Sequence, residues 1–142
     1  MTFWWMWNPA GTVPVRRFRS EESLARSAPE DQVVRSDDFD CPSQRRRATA
    51  VRSDFLRVSG DPVQVALVEQ RLWTLLTALR RSQPLRIALS TAIPKAGRAA
   101  LVAEPSRELA EFDRRFDQFA AALTVLATDP SPEQLRHTAA LD

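Results

Sequence analysis

Leu85-Arg86-Ile87-Ala88-Leu89-Ser90-Thr91-Ala92-Ile93-Pro94-Lys95-Ala96-Gly97-Arg98-Ala99-Ala100-Leu101-Val102-Ala103 is the stretch on which the fold turns. Leu85, Ile87 and Leu89 alternate with Arg86, Ala88 and Ser90, the period of a half-buried strand, and Pro94-Lys95-Ala96-Gly97 supplies a turn. A returning strand would then run from Arg98 to Ala103, although the three alanines there suit a helix nearly as well. Read as a hairpin, the stretch makes the chain α+β. Read as helix and loop, it makes the chain an all-α bundle.

Upstream, Val51 to Ser59 mixes β-formers with polar residues and closes on Ser59-Gly60-Asp61-Pro62, which predicts a further strand and a turn. Asp61 has the character of a helix N-cap, Pro62 suits the first helical position and Gln64 sits where a capping box needs it. Val65, Val68, Leu72, Leu75, Leu76 and Leu79 then recur every three or four residues, until Arg80-Arg81 and Pro84 end the helix. Downstream of Pro105-Ser106, Leu109, Phe112, Phe116, Phe119, Leu123 and Leu126 form a second apolar stripe. Ser131-Pro132-Glu133-Gln134 repeats the cap, proline and glutamine pattern and starts a short last helix.

The resulting order is strand, helix, strand, strand, helix. It predicts a small two-layer α+β sandwich of ferredoxin-like type, with or without a last strand that Thr12 to Phe18 or another chain could supply. Residues 50–128 form this domain, residues 129–142 a helical tail, and residues 1–49 an extended or disordered arm. In the arm, apolar residues are isolated and prolines fall at 9, 14, 29 and 42, so little burial offsets the entropy of ordering it.

Charge and composition narrow the function. Net charge is +2 over 142 residues, with basic and acidic residues interspersed in both halves, so neither half has the one-signed field that steers a polyanion. Nineteen of the twenty basic residues are arginine, which high-GC coding explains as well as guanidinium chemistry. The single cysteine, Cys41, excludes an intrachain disulfide and points to a reducing, cytoplasmic setting. The apolar start lacks a basic leader and is too short to span a bilayer, so it reads as neither signal peptide nor transmembrane helix.

Catalytic and cofactor patterns are absent from the sequence. Gly11, Gly60 and Gly97 are isolated, no phosphate-cradling glycine loop occurs, and no serine has a nucleophile-elbow setting. His137, the only histidine, lies in a polar tail where catalytic positioning is hard to maintain. Asp37, Asp38 and Asp40 offer oxygens to a cation but lack the spacing of a calcium loop. These features exclude no enzyme outright, but they favour a protein without catalytic residues, metal or cofactor.

Two binding features stand out. Phe3, Trp4, Trp5 and Trp7 crowd an apolar aromatic cluster into the arm, which must be buried in the domain, inserted into a partner or laid on a membrane surface. Trp73 lies about 100° around its helix from Leu72 and off the main stripe, and is expected to face a second subunit. Together they suggest an interaction or assembly protein whose arm docks on a partner subunit, a larger complex or a second copy. The alternative is an auxiliary nucleic-acid binder, with Arg45, Arg46, Arg47, Arg52 and Arg57 as a phosphate-contacting strip.

Overall fold

The computed structural model describes Leu24, residues 33–91 and residues 98–141. Among them there is no strand. A 3-10 turn, Ser36–Asp38, leads into five helices: α1 (Pro42–Phe55), α2 (Pro62–Arg81), α3 (Gln83–Thr91), α4 (Arg98–Thr128) and α5 (Pro132–Ala140). The ferredoxin-like expectation is therefore incorrect, and the all-α alternative describes the chain. Thr12 to Phe18 and the turn around Pro94 to Gly97 lie outside the described residues.

Each misread strand has a local cause. Val51 to Phe55 is the last part of a longer helix, α1. Gln44, Ala48, Val51, Arg52 and Phe55 form one buried helical face that begins inside the expected arm, and α1 starts with Pro42 in the first turn, where no N–H is needed. The packed body accordingly starts before residue 50, because Val34 and Phe39 are also fully buried. The chain leaves α1 through turn bonds from Arg57 N–H to the Asp54 carbonyl and from Val58 N–H to the Phe55 carbonyl. Gly60 then takes φ +140°, a conformation that side chains disfavour.

The alternation at Leu85, Ile87 and Leu89 is likewise helical in fact. Pro84 occupies the first turn of α3, and the Arg86 N–H donates to the Ser82 carbonyl at 3.0 Å. With a helical period Ile87 points outward and is 50% exposed, so the alternation marks no buried face. Arg98 to Ala103 belongs to the start of α4, in line with its alanines, and Pro105 is held within that helix at the cost of one backbone hydrogen bond.

The expected helices occupy their places. α2 begins at Pro62 and buries Val65, Val68, Leu72, Leu76 and Leu79, although Asp61 makes no side-chain cap. Arg80 and Arg81 in its last turn suit the negative end of the helix dipole. Phe116, Phe119, Leu123 and Leu126 of α4 are buried, and Phe112 is packed against them. In α5, Ser131 Oγ accepts from the Gln134 N–H at 3.3 Å, the cap read from the sequence.

α1 packs on α2 and α4, and α5 also packs on both α2 and α4, so the last two lie across the bundle from each other. The two stripes therefore share one core without facing each other as directly adjacent helices. α5 follows the first half of α2: Gly60 lies against Leu135, and Arg71 Nε donates to the Ala139 carbonyl at 2.7 Å, satisfying a C-terminal acceptor of α5. With nine residues α5 is about 14 Å long, whereas the twenty residues of α2 span about 30 Å. Among the described residues, α5 therefore lines only about half of the slot between α2 and α4.

Candidate docking groove

Beyond the end of α5 that slot is an open groove of about 490 Å³. Its floor is apolar, made by Leu75 and Ala78 of α2, Phe112 and Phe119 of α4, Ala139 of α5 and Leu141, which follows α5. Leu67, 42% exposed, continues the apolar surface at one rim, while Gln70, Arg71, Thr74 and Arg115 line the edges. Arg115 is held back by a 3.3 Å contact with Glu111, which also takes the Arg114 guanidinium at 2.6 Å. An apolar floor with a few polar groups at its edge suits capture of an apolar side chain or a short helix. Among the described residues that line it there is no His, Cys, Ser, Asp or Glu.

The opposite flank of α4 is braced by charge. Arg86 of α3 reaches Asp113 through both terminal nitrogens, at 2.9 and 2.6 Å. Arg47 of α1 donates to Asp113 at 3.0 Å and to Asp117 at 2.8 Å, and its guanidinium lies 4.7 Å from the ring centre of Phe116. Partial burial tends to raise the Asp113 pKa, but the hydrogen bonds from Arg86 and Arg47 outweigh it and hold this carboxyl below its ordinary value. Gln83 joins α3 to the turn before α1, donating to the Asp38 carbonyl and accepting from the Asp40 N–H, both at 2.9 Å.

This bracing uses most of the arginine strip. Arg45 donates twice to the Phe39 carbonyl, at 3.1 and 2.7 Å. Arg52 is buried, with its guanidinium on the Val34 carbonyl at 2.7 Å and on Ser36 Oγ at 3.1 Å. With Arg47 engaged as well, only Arg46 and Arg57 of the five extend into solvent without a described partner. The sequence shows the guanidinium groups but not the carbonyls and carboxylates that the fold brings to them.

Trp73 requires a correction. It is 1% exposed and part of the chain's own core, so it presents no surface to a second subunit. α1, α3 and α5 all pack on α2, and the Trp73 Nε1 is buried without a hydrogen-bond partner. Phe3, Trp4, Trp5 and Trp7 lie outside the described residues.

His137 is exposed on α5. Asp38 accepts from the Arg35 N–H at 2.8 Å and lies 3.7 Å from Arg80, and among the described residues no group of three or more His, Cys, Asp or Glu is placed to hold a metal ion. Cys41, at the entry to α1, has a 3.1 Å hydrogen bond with the Ser43 hydroxyl. That bond first, then the backbone N–H groups of Gln44 and Ser43, lowers the thiol pKa, with a smaller contribution from the charge of Arg86. The Cys41-Pro42-Ser43 sequence at a helix start was the available signal. No described helix is long and apolar enough to cross a membrane. Comparison with protein-family models, with curated proteins and with solved structures finds no match for this chain.

Proposed function

We propose that this is a non-catalytic interaction or assembly protein that docks on a protein partner through its Trp-rich arm and the groove between α2 and α4. The observation that carries this reading is the helical slot that, among the described residues, α5 lines only in part, and whose floor of Leu75, Phe112, Phe119 and Leu141 is suited to an apolar side chain or helix of a partner. Phe3, Trp4, Trp5 and Trp7 are the complementary kind of group, since each indole removes a large apolar area from water. The single cysteine is in keeping with a reducing, cytoplasmic setting.

The test is to express tagged full-length chain and a chain lacking residues 1–10 in the source cell, and compare what each retains. The deletion is expected to lose the partner while its thermal unfolding stays close to that of the parent. Undiminished retention contradicts a docking role for the arm.

The nucleic-acid alternative draws support from Arg46 and Arg57, which are exposed about three helical turns apart along α1 and its exit. Two phosphate contacts give a salt dependence of about −1.8 in log K against log salt, whereas five would give about −4.5. A salt titration with generic DNA and RNA separates this reading from protein docking, and absence of binding at low salt removes it.

A further inference from the structure

We infer that α3 is a salt-sensitive latch: a helix held on the body by two polar side chains, Gln83 and Arg86, which undocks about the Ser82 junction while α1, α2, α4 and α5 stay packed. The latch lies on the charged flank of α4 and is independent of the docking groove.

α3 is inverted for a helix on a folded body. The residues it turns inward, Gln83 and Arg86, are polar, whereas Pro84, Leu85, Ile87 and Ala88 are exposed. Leu89 is half-buried, but no apolar side chain of α3 belongs to the core of the described residues or packs against it. A helix of nine residues is marginal in water on its own, so α3 depends on the contacts that dock it. Those contacts are polar, and an element without core burial opens ahead of the rest.

Beyond the Ser82 junction, the polar ties of α3 run through those two side chains. Gln83 joins the Asp38 carbonyl and the Asp40 N–H, each at 2.9 Å, and reaches the Arg80 carbonyl at 3.5 Å. Arg86 spans both carboxylate oxygens of Asp113. Their release leaves no buried charge unpaired, because Arg47 of α1 keeps its 3.0 Å bond to Asp113 and its 2.8 Å bond to Asp117. Asp38 and Asp40 are exposed, so water replaces Gln83 there. The backbone is already broken where a hinge is needed: the Ser82 N–H closes α2 on the Ala78 and Leu79 carbonyls, and Pro84 has no N–H to continue that ladder.

Hydrogen exchange of the full-length chain, read by mass spectrometry, tests this. The amides of α3 are expected to exchange through an opening that leaves α2 and α4 protected, and raising sodium chloride from about 0.05 to about 0.5 M should speed them several-fold. This arm needs no substitution. Arg86→Gln is expected to speed α3 exchange by about tenfold, to remove its salt response and to leave thermal unfolding close to that of the parent. Asp113→Asn separates the latch from a local effect on helix propensity: with Asp113 neutral, Arg86→Gln should add little further speed. Exchange of α3 only together with α2 and α4, a rate indifferent to salt, or additive effects of the two substitutions each overturn the inference.

Discussion

Arg86 and Asp113 are joined at two points, Nη1 to Oδ2 at 2.9 Å and Nη2 to Oδ1 at 2.6 Å, and this pair fastens α3 to the middle of α4. Charge-assisted bidentate geometry makes such a contact stronger than an ordinary surface pair. Asp113→Asn is expected to cost about 1–2 kcal/mol, the upper part of the charged hydrogen-bond range being reduced by solvent screening. Hydrogen exchange in α3 should accelerate selectively, and uniform exchange across the chain would contradict the role given to the pair.

The same residue fixes a pH dependence. The folded Asp113 pKa lies below its unfolded value, so the pair's contribution is fully present above an unfolded pKa of about 3.9 and is lost as pH falls through the folded one. Thermal unfolding of the parent should therefore weaken in acid below about pH 4, and Asp113→Asn should flatten part of that fall. Identical acid profiles for parent and variant would show that Asp113 is not linked to folding.

Phe116 is buried beneath the Arg47 guanidinium and within the α4 stripe. Phe116→Ala is expected to cost about 3–5 kcal/mol, a large part of the stability of a body this size. Denaturant titration measures it. A variant as stable as the parent would mean that the stripe is an interface.

Trp73→Ala should also destabilise by about 3–5 kcal/mol and leave the association state unchanged, because the indole belongs to the core. Trp73→Phe should cost much less, since it retains most of the ring volume and removes a buried N–H that has no acceptor. Light scattering alongside thermal unfolding separates the two effects, and loss of association without loss of stability would restore the subunit contact read from the sequence.

Gly60 combines φ +140° with close packing, a Cβ there falling 2.7 Å from Leu135 Cδ2. Gly60→Ala is expected to destabilise by more than about 1 kcal/mol, through both the disfavoured backbone angle and the displaced leucine. Ala at this position without cost, measured in the same titration, would show that the α1–α2 turn relaxes freely.

Much of the fold was legible where burial is one-sided. The stripes of α2 and α4 and the Ser131 cap of α5 were readable because helical period and capping chemistry act within a few residues. α1 was not: its buried face includes Gln44 and Arg52, polar residues that burial patterns alone assign to the surface. Arg52 is buried because the Val34 carbonyl and the Ser36 hydroxyl accept from it across the fold, information absent from a local window. α3 misled through Ile87, an exposed apolar residue that completed a false alternation. The groove was illegible for a further reason. It is made by the shortness of α5 beside α2, a relation between distant segments that no motif records.

The most direct test of the docking account is the mass of the complex formed by the full-length chain in extract of its source cell, compared with that formed by a chain carrying both Leu67→Arg and Thr74→Arg. Size exclusion with light scattering on the affinity-enriched material reads it, with thermal unfolding of the purified chains as the control for folding. The account predicts a partner-sized complex for the parent and its loss in the doubly substituted chain at unchanged stability. An equally large and equally abundant complex from both chains would contradict it.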